Sequence, residues 1–279
     1  MSGLARIYNP FRYPGIRPGF DTSHPASNGI LFSTIFSYNG VNVIGLNNIN
    51  LGAIINFNGT VTNGIDGATG PSLNISTFSN FHFGGGLFGG TTTNKKCTLA
   101  CIIRSPGDGN FTYRDGNSTY GTEISVASAT LSFIKNGSGS PTTVSSGIPI
   151  AASVPYFIAA SSDDSVGVNF VTTRLDTGQI QSAFVANATA VTVASPGSHI
   201  METPGFAFSC AAWMYNNTVA LNLGLMRQWA ASPWAFWYPP DPTTLGLGVI
   251  GLNSSAPPVV TLDVLGNPIY RVRREGWGW

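Results

Sequence analysis

The sequence predicts an all-β fold: an antiparallel β-sandwich or jelly roll, with one short helix near its C-terminal side and extended arms at both ends. Three observations carry this. Asx-Gly pairs recur at Asn39-Gly40, Asn58-Gly59, Asn63-Gly64, Asp66-Gly67, Asp108-Gly109, Asp115-Gly116 and Asn136-Gly137, and such pairs accept the positive φ angles of tight hairpin turns. Between them lie apolar runs of strand length, several alternating in polarity. Short strands at regular spacing, punctuated by turns, indicate a sandwich rather than parallel β/α units.

Residues 1–29 read as an irregular arm. Pro10, Pro14, Pro18 and Pro25 exclude a regular helix or a central strand. Tyr8, Phe11, Tyr13, Ile16 and Phe20 nonetheless make the arm apolar, so it should dock either on its own domain or on a neighbouring subunit. Residues 30–240 form the expected sandwich. Its strands include "CTLACIIRS", "TEISVASATLSFIKNG", "VPYFIAASS", "SVGVNFVTTRLDTG" and "GFAFSCAAWMY". In the last, strict alternation would put Phe206, Phe208, Cys210, Ala212 and Met214 on one face. The glycine-rich stretch Phe81 to Lys96 lacks the phosphate-binding Gly-x4-Gly-Lys-Ser/Thr spacing and reads as a long loop. A helix is expected over about Leu221 to Ala231, ending before Pro233. Residues 241–279 are an extension with one strand in "VVTLDVLG" and the tail "NPIYRVRREGWGW".

Charged residues make up 9% of the 279-residue chain, against about 25% in ordinary soluble domains. Hydrophobic residues reach 43%, enough for a core and against wholesale disorder. The net charge of +1 gives no reason to expect a nucleic-acid partner or an anionic membrane, and no apolar run approaches the ~18 residues of a membrane helix. The N-terminal stretch does not read as a secretory signal. The basic residues are concentrated at the ends, with Arg6, Arg12 and Arg17 in the first twenty positions and Arg271, Arg273 and Arg274 in the last nine. Cys97 and Cys101 lie four residues apart on one expected strand, about 13 Å, too far for a disulfide. Three free, mostly buried thiols are expected, with Cys210 the third.

Catalytic chemistry finds no foothold, and no cofactor is expected. The twelve acids are scattered, whereas glycoside hydrolysis needs two carboxylates about 5–9 Å apart. The adjacent acids Asp163 and Asp164 sit in "SSDDSVG", a natural hairpin tip, and are at most weak calcium candidates. His24, His82 and His199 show no metal-ligand spacing, and no Gly-x-Ser-x-Gly elbow occurs. The densest feature is aromatic: Trp229, Trp234, Phe236, Trp237 and Tyr238 fall within ten residues. From residue types alone this cluster could be a sugar-stacking platform, a partner surface or a core plug.

Two stretches carry a resemblance. Val154 to Ala183, with its aromatic-rich strand, its turn and the polar turn Asp176-Thr177-Gly178, resembles the central hairpin of laminin-G-like, concanavalin A-like jelly rolls. Gly205 to Pro239, ending in "PWAFWYP", resembles that family's closing module of strand, turn, short helix and Pro-Trp segment. Together with "YNPFRYPGIRPGFDTSHPAS", the version seen here is similar to structural proteins of tailed bacteriophages. The resemblance implies that the closing segment packs back across the sandwich, making Trp229, Trp234, Phe236 and Trp237 a core aromatic plug. It implies a non-enzymatic virion protein, a capsid decoration, cement or head-fibre subunit. Its partners would be the major capsid protein, other virion proteins or copies of itself, and it would be assembled in the host bacterial cytoplasm. The interface would then use the arms: Tyr8, Phe11, Arg12, Tyr13 and Arg17 at one end, and Tyr270, Arg271, Arg273, Arg274, Trp277 and Trp279 at the other. Arg and Trp are the residue types most enriched in binding hot spots. The alternative reading is a tail-associated adhesin that binds host surface glycan.

Overall fold

The structure, a computed structural model, describes residues 21, 23–28, 30–38, 43–45, 54–58, 61–66, 68–75, 80–84, 92–94, 96–105, 107–111, 114–115, 121–137, 140–189, 191–193, 199–202, 208–216, 218–237, 261–262 and 268–269. A 3-10 turn at Pro25–Ser27 precedes β1 (Ile30–Tyr38), β2 (Val43–Gly45), β3 (Ile54–Asn58), β4 (Val61–Asp66), β5 (Gly70–Ile75), β6 (Asn80–Gly84) and β7 (Thr92–Asn94). There follow β8 (Lys96–Arg104), β9 (Gly109–Phe111), β10 (Arg114–Asp115), β11 (Gly121–Ala127), β12 (Thr130–Gly137), β13 (Ser140–Pro149) and β14 (Pro155–Asp163). The rest are β15 (Gly167–Arg174), β16 (Ile180–Ala186), β17 (Val191–Val193), β18 (His199–Glu202), β19 (Phe208–Asn216), the helix α1 (Leu223–Ala231), β20 (Thr261–Leu262) and β21 (Pro268–Ile269).

The fold is an all-β antiparallel sandwich with one short helix. A nine-stranded sheet runs β16-β15-β14-β8-β19-β1-β2, with β5 also pairing β19 and β4 pairing β5. A four-stranded sheet, β13-β12-β11-β9, supplies the facing layer. Odd-numbered residues of β8 (Cys97, Leu99, Cys101, Ile103) join Ile124, Leu131, Phe133, Val144, Tyr156, Phe170 and Trp213 in the core between these sheets. Even-numbered Ala100 and Ile102 point to the opposite face, into a second cluster with Phe157, Met226, Trp229, Trp234 and Trp237. The centre of the large sheet is therefore covered twice, by a sheet on one side and by α1 and its flanks on the other. That is why β8 and β14 read as continuous apolar runs rather than alternating ones. Two further groups, β10-β18-β6-β3 and β17-β7, complete the pairing in this part of the chain.

The expected face of β19 is corrected. Cys210 pairs Ile103 while Ala212 pairs Ile102, so Ala211 is an extra residue in the ladder. This bulge reverses the alternation. Cys210 joins Trp213 and Tyr215 in the inter-sheet core, whereas Ala212 and Met214 face the helix. Phe206 lies outside the described residues.

The chain divides into two compact units, Met1–Tyr238 and Pro239–Trp279. In the second, the β20–β21 ribbon pairs Thr261 with Ile269 and Leu262 with Pro268. At the other end, part of the expected arm is described. Ala26 is fully buried in the helix-side cluster, and Asp21 N–H donates to the Phe236 carbonyl at 3.1 Å. This part of the expected arm docks on its own domain.

All three cysteines are free and buried. Burial pushes the thiols of Cys97 and Cys101 up to about 12 and raises that of Cys210, so none carries the thiolate needed for reaction near neutral pH. Alkylation of the native protein should label no cysteine, and alkylation after unfolding without reductant should label three; intact mass reads the count. A mass showing fewer labels after unfolding would reveal a bridge.

Candidate functional site

The closing module is built outward from Asn216 at the end of β19. This side chain is fully buried. Its amide donates to the carbonyls of Ala26 at 2.9 Å and Asn28 at 2.7 Å, and its Oδ1 accepts from the N–H groups of Thr218 at 2.8 Å and Val219 at 3.0 Å. One residue thus docks the N-terminal turn and fixes the path into α1. The Thr98 hydroxyl donates to the Val219 carbonyl at 2.8 Å, and the Asn169 amide to that of Leu221 at 3.0 Å. Asn222 caps the helix, its Oδ1 accepting from Leu225 N–H at 3.0 Å, which satisfies one of the free donors of the first turn. At the far end the Thr173 hydroxyl donates to the Ala230 carbonyl at 2.6 Å.

After α1 the chain turns back on itself, with Ala235 N–H donating to Ser232 O and Trp237 N–H to Trp234 O, both at 3.0 Å. Trp229, Trp234, Phe236 and Trp237 are all buried. Trp229 is the hub: its ring centroid lies 5.2 Å from Phe157, 5.2 Å from Phe236 and 5.9 Å from Trp237. Trp237 Nε1 donates to the Ser33 hydroxyl at 2.9 Å, and Trp229 Nε1 to the Pro233 carbonyl at 3.3 Å. Stacking on a sugar needs an exposed ring face, and none of these four offers one.

His24 closes the cluster from the side. It meets Trp229 edge-on at 4.7 Å and Phe236 at 5.2 Å. Its Nδ1 accepts from Ala26 N–H at 3.1 Å, which requires that nitrogen to be unprotonated. Burial lowers the basicity of the imidazole, and the Asp21 carboxylate opposes the effect. The unfolded chain therefore takes up this proton more readily. The contribution to stability is complete above the ordinary value of 6.5 and is lost as pH falls below it toward the lowered folded value. The thermal midpoint should fall between about pH 7.5 and about pH 5, and His24→Gln should flatten that slope. Equal slopes in the two proteins would remove His24 as the cause.

Beside His24 a cleft of about 150 Å³ is lined by His24, Pro25, Leu225, Gln228, Trp229, Ser232 and Ala235. It presents one imidazole, one amide and one hydroxyl, with no carboxylate among the lining residues. It can offer hydrogen bonds to a small polar group but not the paired acids of hydrolysis.

The acids at the β14–β15 turn diverge. Asp163 accepts from Ser165 N–H at 3.0 Å and from its hydroxyl at 2.6 Å, and pairs with Lys96 at 3.4 Å. The Ser165 hydrogen bonds hold its carboxyl below the usual range. Asp164 pairs with the buried Lys135 at 3.2 Å. Each carboxylate faces an ammonium rather than a shared cation position. Among the described residues no group of three His, Cys, Asp or Glu is placed to hold a metal, and no helix is long and apolar enough to cross a membrane. The arm residues Tyr8, Phe11, Arg12, Tyr13 and Arg17, and the tail residues Tyr270, Arg271, Arg273, Arg274, Trp277 and Trp279, lie outside the described residues.

Among the described residues a sheet edge lies at the surface. β16 is the terminal strand of the large sheet. Its odd-numbered Ala183 and Val185 pack on the inter-sheet core, and Ile180 and Phe184 are exposed at 40% and 48%. The Arg227 Nε–H group of α1 donates to the Ser182 hydroxyl at 2.8 Å above this strand. Val166, in the preceding turn, is exposed at 56%. Sequence reasoning passed over this strand because "IQSAFVA" looks like any half-buried segment.

No protein-family model and no curated protein matches the chain. Solved structures do. The binding domain of Paraclostridial Mosquitocidal Protein 1 superposes with a TM-score of 0.56 at 12% identity, over 75% of this chain and 53% of that one. A structure of botulinum neurotoxin type C, whose cell entry is described as dependent upon interaction with two ganglioside molecules, gives 0.54 at 10%, over 76% and 53%. The ligand binding domain of botulinum neurotoxin serotype D in complex with N-acetylneuraminic acid gives 0.51 at 7%, over 73% and 50%. The chain spans about half the length of these structures, and at such identities the likeness is one of fold: an antiparallel β-sandwich.

Proposed function

We propose that this protein is a non-enzymatic binding module. In the finer reading it is a virion structural subunit of a tailed bacteriophage, a capsid decoration, cement or head-fibre protein that acts by protein–protein contact. The observation that carries the non-enzymatic reading is the burial of Trp229, Trp234, Phe236 and Trp237. The feature best suited by composition to grip a ligand is spent on the core, and the cleft beside it is small and lacks paired acids. Binding then falls to the outer surface and the arms. The phage assignment is supported by the resemblance of Val154 to Ala183 and of Gly205 to Pro239, and by a surface poor in charge. Antibody labelling of purified virions tests it: label on the head supports the reading, and label on neither head nor tail overturns it.

The tail is the expected anchor to a neighbour, either a copy of this chain or the major capsid protein. Arginine pairs with carboxylates in a fixed two-pronged geometry, and Arg271, Arg273 and Arg274 stand there between Tyr270 and the two tryptophans, Trp277 and Trp279. Deleting Arg271 to Trp279 should leave the circular dichroism of the sandwich unchanged and reduce incorporation into particles at least about tenfold, as a ~1.4 kcal/mol loss of binding would do. Normal incorporation would defeat the anchoring role.

A second reading, a glycan-binding adhesin, draws on the fold neighbours described with N-acetylneuraminic acid and gangliosides. Here the polar groups of the cleft, Gln228 and Ser232, would receive the sugar. A glycan array on which the native protein binds and Gln228→Ala does not would favour it.

A further inference from the structure

We infer that the outer edge of β16 is a pairing site for a second copy of this chain, joined edge to edge across a two-fold axis into a continuous sheet. The inference stands apart from the particle reading, since it rests on the geometry of one strand.

The hydrogen-bond pattern shows which groups are available. Arg174 N–H donates to Gln179 O, and Asn187 N–H to Val166 O, at the two ends of a ladder in which Thr173 faces Ile180 and Gly167 faces Ala186. In an antiparallel ladder the bonded residues alternate. Residues 181, 183 and 185 therefore turn their backbone groups toward β15. Ile180, Ser182, Phe184 and Ala186 turn theirs outward, where no described strand meets them.

Native sheet edges are normally blunted by charge, proline or a bulge. The facing sheet follows that rule at its own edge, β13. Pro141 and Pro149 bracket it, and its register with β12 shifts between Thr130 and Ser132, opposite Gly147 at φ +72°. β16 has none of these devices. Its ladder to β15 runs unbroken over seven pairs, "IQSAFVA" holds no charged residue and no proline, and two of its outward-turned residues, Ile180 and Phe184, are exposed apolar side chains.

A second copy fits this edge for three reasons. Antiparallel pairing centred on Ala183 sets Ile180 against Ala186 and Ser182 against Phe184 of the second copy, so every outward group in both strands is used. The strand is uncharged, so no like charges meet along it. Among the described residues, Arg227 of α1 stands over the strand and is held at Ser182, the residue that this register sets against the uncharged Phe184 of the second copy. The size also sets the strength. Seven residues at ~3.3 Å, over two layers ~10 Å apart, present a side of about 230 Å² per copy. That is below the ~800 Å² per partner of a standard stable interface, so the dimer is reversible.

The test is sedimentation of the full chain over about 5 to 500 µM, a range suited to weak interfaces, with amide exchange followed at residues 180, 182, 184 and 186. A concentration-dependent dimer is expected, with exchange at these four amides slowing as concentration rises. Phe184→Lys adds a charge to the edge. Ala186→Pro removes an outward N–H without touching the ladder to β15. Each should weaken the dimer at least tenfold while leaving the monomer's circular dichroism unchanged. A chain that stays monomeric throughout overturns the inference, as does a dimer indifferent to both variants or one whose four amides exchange at a constant rate. If either variant fails to fold, the exchange rates of the native chain decide alone.

Discussion

Replacing Trp237 with alanine should cost the sandwich about 3–5 kcal/mol, the range for removing a buried aromatic. The side chain is fully buried. It meets Phe236 edge-on at 5.2 Å and lies 5.9 Å from Trp229. Its Nε1–H is bonded to Ser33 on β1, and the Ser33 hydroxyl in turn donates to the Trp213 carbonyl at 3.3 Å. Truncation therefore opens a cavity and breaks a polar chain that ties the closing turn to β1 and β19. For a unit of this size each kcal/mol moves the midpoint by roughly 2–4 °C, so a fall on the order of 10 °C is expected in a thermal melt. Ser33→Ala should lose only about 1 kcal/mol, the net worth of a hydrogen bond. Equal melting of Trp237→Ala and the native protein would place the indole in solvent and return the aromatic cluster to the surface.

That cluster shows what the sequence makes legible and what it hides. Its position after a short helix was readable, because Leu221 to Ala231 carries helical residue types and Pro233 stops them; α1 occupies Leu223–Ala231. The strands were also readable, since apolar runs of strand length such as "CTLACIIRS" stand between Asx-Gly turns. The facing of β19 was not. Period-two counting fails at a bulge, and nothing in "FSCAAWMY" announces the extra residue at Ala211. Asn216 was equally opaque, because a buried asparagine with four partners and a surface asparagine in a turn look alike in one dimension. His24 was read as isolated along the chain, and in sequence it is. Its neighbours Trp229 and Phe236 lie about two hundred residues away and arrive only by folding. The edge of β16 is a property of topology: the same seven residues would be unremarkable in the middle of a sheet.

Lys135 is the most misleading residue, and its removal carries the second large effect. In "SFIKNG" it looks like a solvated lysine before a hairpin turn. Its side chain is instead fully buried. The ammonium donates to Asp164 Oδ1 at 3.2 Å, to the Thr189 carbonyl at 3.1 Å and to the Asn187 carbonyl at 3.4 Å. It reaches from the smaller sheet to the β14–β15 turn and to the chain leaving β16, joining β12 to two segments with which it shares no ladder. Taking away one member of such a buried pair costs about 3–5 kcal/mol, because the opposite charge stays behind in a medium that solvates it poorly. Lys135→Met keeps most of the volume and removes only the ammonium, so its cost isolates the electrostatic part. Asp164→Asn should be milder, since the amide oxygen still accepts from the lysine. In the double variant the two losses should fall short of additive, because both remove the same interaction. Chemical denaturation of the four proteins supplies the cycle, and amide exchange locates the damage, which should centre on Ser165 to Gly167 and Ala186 to Thr189. Additive losses, with exchange unchanged in those two segments, would show that the lysine acts only through its packing and that the clamp between the two sheets lies elsewhere.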